Sequence, residues 1–360
     1  MNDFLRAVFL MIAGTLGAGI FSLPYAFSRS GFLPSIFGSF FIALTMITVN
    51  VLYGKIILKT KGDHQLPGYS EKYLGKLGKI TASLAMFFSL NFALAAYTIL
   101  GGELFALFLG QMTTVFHKIL FYFLRVFLFY QGFKKILKIE SFLVTILLGL
   151  MIVLPLALLP FFQKGNFVLF TKIPFAFWGT TIFALTGFSA IPEVEESLRK
   201  RKRLFLPAVI FGTTLAFFVT LIFSLSIVEV SGAATTADAL SGLLQFSPLL
   251  VRLAAGIGVL IMVAAFLNLA NVLKEMFFRD FKIKENLAKF LAVAPAAAAV
   301  FLPQNAFPKI ISASGSLFLS LSAILICLIS RKVNPKYKTL SLIIILFFVI
   351  GAIMEILTKI

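Results

Sequence analysis

Of 360 residues, 60% are hydrophobic and only 13% are charged, and the mean hydropathy is +1.03. A water-soluble domain carries about 25% charged residues because its surface must be wetted, so this composition excludes a soluble globular body and points to a lipid surrounding. The formal net charge of +18 and pI near 10.0 invite a nucleic-acid reading, but no basic stripe with interleaved aromatics lies outside the apolar runs, and no nucleic-acid partner is expected.

A spanning helix needs about 20 apolar residues, which gives roughly ten or eleven spans with short connections and no room for a separate soluble domain. In chain order, apolar runs fall at residues 5–27, 33–58, 80–109, 115–130, 142–162, 173–198, 204–230, 248–278, 287–302, 307–329 and 340–357. The first is too long for a signal peptide, and Pro24 and Arg29 stand where a small-residue cleavage site would be needed. The fourth and ninth are the shortest. Cys327, the single cysteine, lies inside the tenth run without a thiol partner or metal-ligand spacing, and reads as a small buried hydrophobe.

Basic residues concentrate in alternate connections. Lys55, Lys59, Lys61, Lys72, Lys76 and Lys79 follow the second run; Lys134, Lys135 and Lys138 follow the fourth; Arg199, Lys200, Arg201, Lys202 and Arg203 follow the sixth. Lys274, Arg279, Lys282, Lys284 and Lys289 surround the eighth-to-ninth connection, and Arg331, Lys332, Lys336 and Lys338 precede the last run. The other connections hold only scattered cations such as Arg29, Lys118 and Arg252. The positive-inside rule therefore places the N-terminus in the cytoplasm and, with eleven spans, the C-terminus outside. A multi-pass protein of a plasma (inner) membrane is expected. The polar loop at 60–78 contains a short amphipathic stretch from Ser70 to Leu77 that reads as an interfacial helix. The loop at 231–246, with Asp238 and no Lys or Arg, suits the outer side.

The informative segment is Gly14-Thr15-Leu16-Gly17-Ala18-Gly19-Ile20-Phe21-Ser22-Leu23-Pro24, in the middle of the first run. Three glycines and a proline oppose a continuous helix, and Pro24 cannot donate to the Ile20 carbonyl. Unpaired backbone groups in hydrocarbon cost several kcal/mol each, so such a break survives only around a polar cavity. The sixth run carries a matching interruption, Leu185-Thr186-Gly187-Phe188-Ser189-Ala190-Ile191-Pro192. In both, a glycine precedes a proline by five positions: Gly19 and Pro24, Gly187 and Pro192. The two spans run in opposite directions, and paired interruptions of that kind are the sign of an inverted repeat. Glycine packing and ordinary proline kinks would explain one such span more readily than two.

Broken ends select a ligand. An outer half-helix starting near Gly19 presents free N–H groups and a positive dipole end, which favour a carboxylate. The first half-helices end near residues 14–16 and 183–186 with free carbonyls, which stabilise an ammonium. A zwitterion with both groups on one carbon fits, and an α-amino acid is the simplest such solute.

The run from Gly14 to Phe27, Gly-Thr-Leu-Gly-Ala-Gly-Ile-Phe-Ser-Leu-Pro-Tyr-Ala-Phe, resembles the first-helix motif of the amino acid/auxin permease family, in the amino acid–polyamine–organocation superfamily. Bacterial aromatic amino acid permeases carry a related version. Leu74-Gly75-Lys76-Leu77-Gly78-Lys79, the stretch Tyr-Thr-Ile-Leu-Gly-Gly-Glu at 97–103, and Arg279-Asp280-Phe281 add to the likeness. The resemblance implies an all-α, leucine-transporter-type 5+5 inverted repeat with about eleven transmembrane helices, the first and sixth broken. It would form one transporter domain over 1–360, with repeats at about 4–162 and 173–330 and an extra helix at about 340–358. It implies a secondary active amino acid transporter working by alternating access, without enzymatic activity. Backbone N–H groups of Ala18, Gly19 and Ile20 would hold the carboxylate, and carbonyls near Thr15, Phe183 and Thr186 the amine. Leu16, Gly17, Ala184, Gly187 and Ser189 complete the substrate set, and Asn91 and Tyr97 stand within reach on the third span. Phe183 reads equally as a gate and as packing.

Sodium-coupled relatives use hydroxyls on the eighth span, where Ala264 and Ala265 offer none. Proton coupling is therefore favoured over sodium, and no cofactor is expected beyond the transported ion. Asn268, Asn271 and Glu275 follow as a polar stripe, and Asn268 reads as an ion ligand or as a wall of the inner cavity. Glu103 is the acid most isolated in an apolar run, either a proton carrier or an interhelical partner beside Gly101 and Gly102. Glu193, in the first turn after the sixth-span break, complements the dipole or provides a second protonation site. Glu195 and Glu196 stand four residues before Arg199 and Lys200, a surface pairing. His64 and His117 read as loop or interface residues. Two other functions remain open: a carrier of another small solute, such as a polyamine or nucleobase, and an amino acid sensor that does not transport.

Overall fold

A computed structural model describes residues 3–62, 64–111, 115–132, 134–163, 165, 166 and 168–359, with backbone alone at 134–141, 143, 279, 280, 358 and 359. Every regular element among these residues is a helix. In the first half α1 covers Asp3–Thr15, α2 Gly19–Ser30, α3 Phe32–Lys59, α4 Leu66–Phe108, α5 Val115–Tyr130 and α6 Lys134–Leu158. The second half holds α7 (Trp178–Leu185), α8 (Ile191–Ser197), α9 (Phe205–Ser231), α10 (Pro248–Glu275), α11 (Glu285–Val293), α12 (Ala306–Ala313), α13 (Ser320–Val333) and α14 (Lys338–Lys359).

Seven helical stretches among the described residues are long and apolar enough to cross a bilayer, or eight when α1 and α2, bent by 56°, are taken as one broken span. Three more crossings are shorter for identifiable reasons. The 16 residues of α5 rise about 24 Å. The sixth span is divided into α7 and α8, neither long enough alone. The ninth continues from α11 into a 3-10 helix at Ala294–Phe301, whose steeper rise brings the pair to about 30 Å, a full hydrocarbon thickness. This gives about eleven spans, as the apolar runs indicate, in a leucine-transporter-type inverted repeat with its first and sixth members broken.

Several boundaries differ from the sequence reading. The interfacial helix begins at Leu66 instead of Ser70 and stops at Gly75, whose φ of +76° no helix accommodates. Lys134, Lys135 and Lys138 belong to the first turns of α6 and not to a loop. Pro24 lies inside α2, more than a turn past the break, whereas Pro192 opens α8. The shared Gly-to-Pro spacing therefore does not mark equivalent places: Gly19 starts its helix, while Gly187 lies within the break. The last crossing before α14 is interrupted by a π-helical turn at Ser314–Leu319.

Two layers of helices meet at the breaks. In one, α1 and α2 pack on α9, α3 packs on α9 and α7, and α1 touches α8. In the other, α4 packs against α10, α5 and the 3-10 segment of the ninth span. Side chains of α5 close the ends of that segment. The Tyr122 hydroxyl donates to Val293 O at 3.0 Å, and Lys118 Nζ to Leu302 O at 2.8 Å, satisfying carbonyls that a helix end leaves unpaired. The outward faces are apolar, with Phe37, Phe41, Phe123, Phe127 and Ile350 all exposed. That arrangement suits lipid contact.

Candidate functional site

The first interruption spans residues 16–18, between the last residue of α1 and the first of α2. Here Leu16 N still donates to Ile12 O at 2.7 Å, but the amides of Gly17 and Gly19 find no carbonyl three or four residues back. Ile20 N closes a tight turn on Gly17 O at 3.3 Å. The Tyr97 hydroxyl lies against this break, where a Cβ on Gly17 would overlap it. Of the three amides expected to hold a carboxylate, that of Ile20 is taken up by the tight turn, while Gly19, like Gly17, makes no hydrogen bond with the described residues. The second interruption spans residues 186–190, where Thr186 N reaches Phe183 O at 3.4 Å and Ala190 N reaches Gly187 O at 3.0 Å. The ends of α1 and α7 leave carbonyls without helical donors.

The two interruptions face each other. A Cβ on Gly14 would overlap the Ala190 methyl, and one on Gly187 would overlap the end of Met11 and lie 2.8 Å from Thr15 Oγ1. A Cβ on Gly19 would stand 2.8 Å from Ala184 Cα and 2.9 Å from Phe183 Cδ1. Bare glycines are therefore required where one broken helix crosses the other. Thr15 and Thr186 point their hydroxyl protons into their own helices, to Met11 O at 2.7 Å and Ile182 O at 2.6 Å. Their oxygen lone pairs remain as acceptors.

A cavity opens at this crossing. From the expected set, Thr15, Gly17, Tyr97, Phe183, Thr186 and Ser189 line it. The wall also takes Gly14, Tyr53, Gln65, Leu66, Met86, Ser89, Leu90, Ala93, Phe188, Leu269, Leu319 and Ser322. Gly14 and Phe188 belong to the interrupted segments themselves; the others come from α3, the start and middle of α4, α10, the π-turn and α13, and carry no sequence signal of their own. A second, smaller cavity shares Gly14, Gly17, Tyr97, Ser189 and Leu269 and adds Leu16, Ala264, Ala265 and Asn268. Ala18, Gly19, Ile20, Ala184 and Gly187, also expected in the substrate set, are buried and line neither cavity.

Other candidates lie elsewhere. Asn91 donates to Phe87 O at 2.8 Å within its own helix and is absent from both cavity walls. Glu103 is buried far along α4, with Lys118 Nζ 3.7 Å away. Lys118 is accordingly a buried residue of α5, and His117, expected at a loop or interface, is also buried, its Nε2 2.9 Å from Gln111 Oε1. Gly101 and Gly102 make this possible: a Cβ on Gly101 would overlap the Phe121 ring, and one on Gly102 would lie 2.5 Å from Lys118 Cγ. Glu193 sits in the first turn of α8. Asp238 is buried in the outer loop, accepting from Thr236 Oγ1 at 2.6 Å and Ser241 N at 3.2 Å. Among the described residues no group of His, Cys, Asp and Glu could hold a metal ion.

No curated protein sequence matches the chain. Its fold is similar to that of MhsT, known from a crystal structure in complex with L-phenylalanine. The two share 15% identity over 99% of this chain and 98% of the other, with a TM-score of 0.71. The family model for tryptophan/tyrosine permeases matches residues 1–358, and the chain belongs to that family.

Proposed function

We propose that this permease is a secondary transporter of amino acids, aromatic ones foremost, that works by alternating access around the two broken helices. One observation carries the reading: the Gly17 amide, with that of Gly19 buried two residues further on, and the carbonyl ends of α1 and α7 meet at a single cavity whose remaining wall is largely apolar. Amides there attract a carboxylate and carbonyls an ammonium, while Met86, Leu90, Ala93, Phe188 and Leu319 surround the side chain. Gly14, Thr15, Leu16, Gly17, Phe183, Thr186 and Ser189 form the proposed substrate set, with Tyr97 beside them in the wall and Gly19 buried next to the break. Kinship with the wider amino acid/auxin permeases rests on the motif at 14–27.

The loop charges support a cytoplasmic N-terminus in an inner membrane, and the chain is taken as one transporter unit with repeats at about 4–162 and 173–330. Proton coupling is favoured because Ala264 and Ala265, in the wall of the second cavity, supply no oxygen ligand from their side chains. Glu103 is the proposed proton carrier.

Uptake of a panel of the standard amino acids into proteoliposomes, with and without proton and sodium gradients, tests the reading. Saturable uptake of an aromatic amino acid is expected, and Gly17→Leu, whose side chain would collide with the Tyr97 hydroxyl, abolishes it. Undiminished uptake in that variant would sink the site. A polyamine or nucleobase competing better than any amino acid would reassign the substrate, and binding without flux would make the protein a sensor.

A further inference from the structure

Arg125 lies in the short apolar α5 and is fully buried. Among the described residues no carboxylate pairs with it. Nη1 donates to Tyr97 O at 3.1 Å, Nη2 to Thr98 Oγ1 at 3.0 Å, and Nε to Phe121 O at 3.1 Å. The guanidinium carbon stands 4.3 Å from the centre of the Phe121 ring and 4.2 Å from that of Phe266 on α10. A planar, delocalised cation with a rigid donor fork is the side chain that can bind oxygens in its plane and rings on its faces together.

Packing alone does not account for a guanidinium here. Well-packed apolar residues often replace a buried charge at no loss of stability, and a charge within a membrane helix is a functional candidate by default. Its partners indicate the role. The Tyr97 carbonyl faces Arg125, while the hydroxyl of the same residue lies against Gly17 in the break, and Tyr97 lines both cavities. Bare Gly101, one turn along α4, admits the Phe121 ring that carries Arg125 onto this turn. Arg125 itself lines neither cavity.

We propose that Arg125 is a positioning residue of the substrate site: it clamps the turn of α4 that carries Tyr97, so that the phenol stays against the first-span break. This rests on the reading that the break holds the substrate. Through Phe266 the same guanidinium ties α4 to α10, whose neighbouring Ala265 faces the second cavity.

The test is a double-mutant cycle on uptake kinetics of the full chain in proteoliposomes. Arg125→Gln and Tyr97→Phe are each expected to raise KM about tenfold, the scale of one hydrogen bond to a charged or site group, at unchanged maximal rate per folded carrier. The double variant should be no worse than either single one, and Arg125→Lys, which keeps the charge and loses the fork, should fall between wild type and Arg125→Gln. Multiplying effects, or a lower yield of folded carrier with KM unchanged, would overturn the assignment and leave Arg125 a structural residue. If Arg125→Gln does not fold, Thr98→Ala decides: it removes one acceptor and should raise KM about threefold, with no further rise in the Tyr97→Phe background. An unchanged KM there also overturns the proposal. A wild-type chain without saturable uptake is a different result, since it removes the transport reading before any variant is compared.

Discussion

Gly14 of α1 lies directly against Ala190, the residue before α8, with no room for a methyl group between them. Overpacking at such a contact costs about 1–3 kcal/mol. Gly14→Ala is therefore expected to lower both the thermal midpoint in detergent and the uptake rate. Ala190→Gly in the same chain should restore both, because it returns the missing volume. Failure of that rescue would show that the two broken helices do not touch here.

Phe183, in the last turn of α7, lies beside Gly19 and lines the cavity. A ring so placed covers the bound solute on one side. Phe183→Ala is expected to raise KM about tenfold, while Phe183→Tyr keeps it near wild type. Loss of thermal stability with KM unchanged would make the ring a packing element alone.

The existence of both breaks was readable because glycine and proline act on the backbone itself, whatever surrounds them. Their meeting in space was inferable only from repeat symmetry, and the Gly-to-Pro spacing that suggested it turns out to be inexact, with Pro24 inside α2 and Pro192 at the start of α8. Most of the cavity wall was invisible. Met86, Leu90 and Leu319 are ordinary residues of apolar helices until a neighbouring helix leaves a gap beside them. Lys118 was hidden differently: a cation near the edge of a short apolar run looks like a loop charge, and only the partner helix shows Glu103 beside it. Arg125, inside the same run, has no acid at helical spacing to explain it, and its partners Tyr97 and Thr98 lie on another helix. The 3-10 stretch at Ala294–Phe301 likewise made a full crossing look too short.

Glu103 and Lys118 separate a structural pair from a coupling site. Lys118→Met leaves a buried carboxylate unpartnered and should cost about 3–5 kcal/mol of stability, most of it recovered when Glu103→Gln is added. Glu103→Gln alone is expected to keep substrate exchange between equal pools while losing accumulation driven by a proton gradient. Thermal midpoints check the first expectation and paired exchange and accumulation assays the second. Accumulation that survives in Glu103→Gln would move the proton to another residue.

Trp178 opens α7, and Gly351 of α14 accepts its indole ring so closely that a Cβ there would overlap it. The same ring lies 4.8 Å from that of Phe347. This contact joins the last helix to the half-helix that carries Phe183. Gly351→Leu should displace α14 from α7 and lower the thermal midpoint, and uptake should fall with it. A variant of normal stability and rate would mean that α14 does not support the site.

The second cavity lies beside the end of α1, where Ala13, Gly14 and Leu16 meet Ala264, Ala265 and Asn268 of α10. Hard cations are held by several oxygen ligands at once, and a half-helix end supplies carbonyls from one side only. The opposite wall must provide the rest, and two of its residues are methyl groups. Uptake is therefore expected to proceed equally well when choline replaces sodium at constant pH. Ala264→Ser combined with Ala265→Ser places two hydroxyls on that wall and should introduce a sodium-stimulated component while leaving the proton-driven rate in place. Collapse of wild-type uptake in choline would show that backbone carbonyls and Asn268 suffice to hold the ion, and the proton would lose its place as the driving cation.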